Sequence, residues 1–164
     1  PVYPVHNVSG IKVRICHQRL AINPSLAGIK HLNRLEQILA RNEWRDETIA
    51  EGLMLDYQDR LIEGTMSNVF LVKDNKLFTT ELSSCGIAGI MRKQLINLAE
   101  KLEMPVHITS LTIDDINSAD EMFVCNSLLG IWPVIHITDF NRDLGHGPIT
   151  QKLQKALNSL DRNQ

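Results

Sequence analysis

Four short segments carry residues whose types and spacing could do chemistry together. Lys30 follows the small-residue stretch Leu26-Ala27-Gly28-Ile29. Taken alone, a lysine near a helix start is more often a solvated surface group than a reagent. Here its neighbours Ile29 and Leu32 read as core-like, and a helix start disfavours a cation. An amine that such a setting keeps partly unprotonated is a nucleophile towards aldehydes, the requirement for forming an imine. Glu63, in EGTMSNVF, reads either as an exposed strand-end acid or as a carboxylate that holds a pyridine nitrogen protonated. Asn68, five residues on, is a strand amide or a group that fixes a cofactor. Gly86-Ile87-Ala88-Gly89-Ile90-Met91-Arg92 opens a helix, and glycines there let backbone N–H groups approach a phosphate that the dipole favours. Cys125-Asn126-Ser127 ends a strand with amide, hydroxyl and N–H donors together. Each segment alone is weak.

The elements that must position these groups follow from periodicity. Ile11–Cys16 alternates apolar and polar residues and predicts a strand, then Asn23-Pro24-Ser25 predicts a loop. Leu32, Leu35, Ile38, Leu39 and Trp44 fall at helical spacing, predicting a helix from about Leu32 to Trp44. Glu51–Asp56, Ser67–Val72 and Lys76–Thr80 read as strands, the last two joined by a tight turn at Asp74-Asn75. A second helix starts near Gly89, carries Ile90, Leu95, Ile96, Ala99 and Leu102 on one face, and stops before Pro105. Val106–Leu111 is a strand, and Thr112 caps a short helix through Asn117 with Asp114 and Asp115 in its first turn. Glu121–Asn126 and Trp132–Thr138 are strands, and Pro148 opens a final amphipathic helix carrying Leu153, Leu157 and Leu160. The expected architecture is an α/β domain with a mixed sheet.

Composition narrows the function classes. The 164 residues suit one domain with a real core. A formal net charge of −2 gives no electrostatic case for nucleic acid or an anionic membrane as partner. No apolar run approaches the ~18 residues of a membrane span, and the opening PVYPVHNVSG lacks signal-peptide architecture, so a cytoplasmic location is expected. Cys16, Cys85 and Cys125 have no metal-ligand spacing and read as buried reduced thiols; no metal is expected. The chain opens on Pro1, and Tyr3-Pro4 runs straight towards a strand. Residues 1–8 therefore read as the end of an interdomain linker, with an N-terminal domain expected before it.

In order and spacing, Glu63-Gly64-Thr65, Asn68-Val69-Phe70, Leu77-Phe78-Thr79 and Ile87-Ala88-Gly89-Ile90-Met91-Arg92 resemble the signature of the class IV pyridoxal-phosphate enzymes. That family includes branched-chain aminotransferases, D-amino-acid aminotransferases and aminodeoxychorismate lyases. Within it, Ala27–Gln37 (AGIKHLNRLEQ), Cys125-Asn126-Ser127-Leu128 and Trp132-Pro133-Val134 are most similar to the lyases. The resemblance runs from about Tyr3 to Val134.

The resemblance implies the large domain of the D-amino-acid aminotransferase-like fold, fold type IV, over residues 9–164, with a mixed sheet and flanking helices. It implies pyridoxal 5′-phosphate as cofactor, Lys30 as the catalytic lysine that bonds to it and later moves protons, and Glu63 as partner of the pyridine nitrogen. Asn68 would help fix the cofactor. The backbone N–H groups of Ile90 and Met91 would hold its phosphate, and Asn126, with Ser127, would supply further phosphate or carboxylate contacts. Arg34 belongs to the Lys30 segment and reads equally as a structural ion-pair residue. The implied reaction converts 4-amino-4-deoxychorismate to 4-aminobenzoate and pyruvate, a step of folate biosynthesis, in a homodimer. Family members take a phosphate-binding arginine and part of the substrate pocket from an N-terminal small domain, so the segment alone is expected to be an incomplete site. Two readings stand beside the lyase: an aminotransferase for branched-chain or D-amino acids, and a noncatalytic module that keeps the fold.

Overall fold

The computed structural model describes residues 4–161. After a short 3-10 turn at Val5–Ser9, the strand β1 (Ile11–Leu20) leads to the helix α1 (Leu35–Arg41). Then come β2 (Ile49–Asp56), β3 (Leu61–Gly64), β4 (Asn68–Lys73), β5 (Lys76–Thr80) and α2 (Ile90–Lys101). The rest is β6 (Val106–Thr109), α3 (Ile113–Ser118), β7 (Glu121–Asn126), β8 (Gly130–Ile137), the two-residue β9 (Arg142–Asp143) and α4 (Pro148–Asp161). Residues 1–3 of the expected linker, and the side chain of Leu160 on the last helix, lie outside the described residues.

The nine strands among the described residues join one sheet in the order β3-β2-β1-β8-β7-β4-β5-β6, with β9 beside β8. β1 runs parallel to β2 and β8, and β5 to β6; the other pairs are antiparallel. The sheet is therefore mixed, and it curls until its ends touch. The Leu61 N–H donates to the carbonyl of Leu111, just past β6, at 2.8 Å, and the Thr80 hydroxyl donates to the Ile62 carbonyl at 2.7 Å.

Period-two alternation divides the core. Val13, Leu53, Leu55, Val69, Leu71, Met122, Val124, Trp132 and Val134 face the interior of the curl. Their neighbours Phe70, Val72, Phe123 and Cys125 face outwards under α2 and α4, whose Leu95, Leu98, Ala99, Leu153 and Leu157 cover them. Met54, Ile62 and Cys16 pack under α1 through Ala40 and Trp44. The three cysteines are buried free thiols, and burial pushes Cys125 up to about 12, away from reactivity.

Four sequence expectations change. The first helix is Leu35–Arg41, shorter than Leu32–Trp44, because Leu32 is fully exposed and Trp44 folds back beneath it, its indole N–H donating to the Ile49 carbonyl at 3.1 Å. Lys30 thus precedes the helix by several residues, and the helix dipole does not act on it. Ile29 is 52% exposed and Lys30 itself is exposed, so no core-like setting surrounds the amine within this chain. β1 continues past Cys16 to Leu20, and β3, which carries Glu63, emerges as an added strand.

Candidate active site

The Lys30 segment is stitched to the loop before α2. Gly28 N–H donates to the Gly86 carbonyl at 2.9 Å, and Ala88 N–H returns to the Gly28 carbonyl at 3.1 Å. Both glycines have positive φ, +78° and +83°, which side-chain-bearing residues rarely adopt. A Cβ on Gly86 would also lie 2.6 Å from Ile62 Cγ2. This short parallel bridge sets Lys30 at the rim of the cavity that opens before α2.

Asn68 shapes that opening from β4. Its Nδ2 donates to the Ile87 carbonyl at 2.7 Å and its Oδ1 accepts from Gly89 N–H at 3.2 Å. A Cβ on Gly89 would come within 2.3 Å of that Oδ1, so only glycine lets the loop sit here. With the 87–89 loop held from below, α2 starts at Ile90, and helix geometry leaves the N–H groups of Ile90 and Met91 without intrahelical acceptors. They line the cavity as ready anion donors.

Glu63 stands on β3, 2% exposed. Its Oε2 accepts from Ile87 N–H at 2.8 Å; its Oε1 accepts from Gln37 Nε2 at 3.3 Å and lies 3.7 Å from Arg34 Nη2. Burial pushes the carboxyl up to about 7, against the Ile87 amide, Arg34 and Gln37, which favour its charged form, while Glu51 adds to the upward push. A carboxyl so poised is completed by a cation placed against it.

Glu51, wholly buried on β2, organises the turn beneath. Its two oxygens accept from the Thr65 and Met66 N–H groups and from the Thr65 and Ser67 hydroxyls, the last at 2.7 Å. From β7, Asn126 ties this turn to the next one: Nδ2 donates to the Met66 carbonyl at 2.8 Å, and Oδ1 accepts from Leu128 and Leu129 N–H, both at 2.9 Å. The acceptor side of the Asn126 amide is thus engaged within the protein, and its first task is to hold the turn.

All six residues picked out in sequence, Lys30, Glu63, Asn68, Ile90, Met91 and Asn126, line one cavity of about 380 Å³, with Arg34 beside them. Glu51 and Gln37 were missed. Glu51 looked like the polar start of a strand, and Gln37 like the polar face of a helix. The volume and donor set fit pyridoxal phosphate. An amine stands at the rim for the aldehyde, a buried carboxyl for the ring nitrogen, and a helix N-terminus for the phosphate.

The chain is similar to known proteins over most of its length. The model of the amino-transferase class IV family matches residues 2–137. An aminodeoxychorismate lyase of Vibrio harveyi is 39% identical, over 96% of this chain and 60% of the relative. The crystal structure of 4-amino-4-deoxychorismate lyase from Pseudomonas aeruginosa superposes with a TM-score of 0.93 at 45% identity, over 97% of this chain and 58% of that one. A probable branched-chain-amino-acid aminotransferase of Thermotoga maritima is 34% identical, over 90% of this chain and 54% of the relative. The chain therefore spans little more than half the length of these relatives.

Proposed function

Because the chain belongs to the amino-transferase class IV family of pyridoxal-phosphate-dependent enzymes, we propose that it is the cofactor-binding large domain of an aminodeoxychorismate lyase. The substrate would be 4-amino-4-deoxychorismate and the products 4-aminobenzoate and pyruvate. The observation that carries the reading is the convergence of Lys30, Glu63 and the start of α2 on one cavity. Similarity to lyases at 39% and 45% identity favours this reaction over amino-group transfer.

Each residue then has a task. The N–H groups of Ile90 and Met91 would hold the cofactor phosphate, which the helix dipole also favours. The Glu63 carboxylate would accept a hydrogen bond from the ring nitrogen and keep it protonated. Bound pyridoxal phosphate supplies the electron sink that makes C–H cleavage accessible. The Lys30 amine takes the proton from the carbon that bears the substrate amino group. The bond to the enolpyruvyl oxygen then breaks, the six-membered ring becomes aromatic, and the enolate gains a proton to give pyruvate. Asn68 and Asn126 act at one remove, fixing the loops whose backbone does the binding. An N-terminal small domain and a second copy of the protein would close the site, which accounts for an exposed Lys30 in this region alone.

Borohydride reduction after addition of pyridoxal phosphate, followed by peptide mapping, tests the assignment. The label is expected on Lys30 and absent in Lys30→Ala; a label elsewhere, or an unchanged one in the variant, refutes it. Parallel assays of the longer protein for aminobenzoate release and for amino-group transfer separate lyase from aminotransferase.

A further inference from the structure

A second cavity of about 300 Å³ adjoins the loop that carries Lys30, and its lining includes His31, Asn33, Arg34, Glu36, Gln37 and Cys85. Two of these residues carry a buried polar atom without a hydrogen-bond partner among the described residues: Gln37 at Oε1 and His31 at Nδ1. Gln37 is 8% exposed, and its other end donates to Glu63 Oε1 at 3.3 Å. A primary amide has a donor end and an acceptor end. With the donor end on a carboxylate and the acceptor end shielded from solvent without a donor, Glu63 is the one hydrogen-bond partner of the side-chain amide among the described residues.

We propose that Gln37 is a positioning residue for Glu63: its buried side-chain amide, unpaired at the oxygen among the described residues, is held with its donor end on the carboxylate. The inference rests on the reading of Glu63 as the partner of the ring nitrogen. Its chemistry is simple. A flipped amide would set oxygen against oxygen at Glu63 Oε1 and favour a protonated acid, which cannot stabilise a cationic ring nitrogen. A fixed donor favours the carboxylate. The groups facing Glu63 are Arg34 and Gln37 from the α1 side, Ile87 N–H from the loop before α2, Glu51 from β2 and Cys85 from the preceding loop. Among them Gln37 is the one neutral side chain whose effect depends on which way it is turned.

The test reads the carboxyl directly, in the cofactor-free chain. Carbon-13 NMR of labelled glutamate, assigned by the signal lost in Glu63→Gln, gives the Glu63 titration. Gln37→Met, which keeps volume and removes the donor, is expected to raise its midpoint by about one pH unit. Gln37→Glu is expected to raise it further. In the unaltered chain, the Gln37 side-chain NH2 proton shifts should follow the same midpoint and should lose that dependence in Glu63→Gln; this readout needs no change at position 37. Titration curves that superimpose in parent and Gln37→Met, or Gln37 amide signals indifferent to Glu63, overturn the inference. A separate outcome bears on the underlying reading: if Glu63→Gln leaves the absorbance and affinity of added pyridoxal phosphate unchanged, Glu63 is not the ring partner, whatever Gln37 does to it.

Discussion

Glu63 is the residue at which burial and function pull against each other. Held up to about 7 by its surroundings, it keeps a proton in the folded chain that an unfolded glutamate releases near pH 4.5. The native state thus binds more protons across that interval. Stability from this group is full below about pH 4.5, falls as pH rises towards 7, and is level above. The loss is on the order of 3 kcal/mol. Glu63→Gln should remove it. Urea unfolding of the cofactor-free chain at pH 5 and pH 8 is expected to show the variant gaining on the parent as pH rises. A stability difference that does not change between those two pH values sinks the account of a strained, buried acid. Added pyridoxal phosphate should narrow the difference, because a cationic ring nitrogen makes the ionised carboxyl the favoured form.

At the scale of elements, the site is built from turns that buried side chains hold in place, and this sets what could be read in advance. The strands at 68–73, 76–80 and 121–126, the helix from 90 and the capped helix after Thr112 follow from period and capping residues. The six cavity residues came instead from an ordered set of weak segments that together resemble a family signature, not from any one segment or from periodicity. Local pattern could not show that Leu32 stays in solvent, because helical spacing registers the residue type and not what covers it. Nor could it show β3, since a four-residue strand with three buried neighbours has no alternation to display. Glu51 is the sharpest case. A charged residue at the start of EGLMLD reads as an edge, yet it is wholly buried and binds four donors of the 65–67 turn. Glu51→Gln replaces one acceptor oxygen with a donor. Ser67 can rotate to accept from it, but Met66 N–H cannot. The expected cost is about 1–3 kcal/mol in urea unfolding, together with weaker pyridoxal phosphate binding. An unchanged unfolding midpoint would mean the carboxylate does not organise that turn.

Across the whole molecule, the curl of the sheet joins the two halves of the site. Glu63 rides on β3 at one end of the strand order, while the loop leading to α2 departs from β5 near the other. They meet because the seam closes, through Leu61 N–H on the Leu111 carbonyl and the Thr80 hydroxyl on the Ile62 carbonyl. Thr80 is wholly buried, so Thr80→Val keeps the shape and leaves that carbonyl without its donor. A loss of about 1–3 kcal/mol is expected. Its location matters more than its size. Hydrogen exchange should quicken at Leu61, whose N–H crosses the seam, and stay slow at Val69, which pairs with Val124 in the middle of the sheet. If exchange instead rises equally at both positions, the curl opens as one unit, and the seam is no separate hinge between the carboxyl and the helix start it serves.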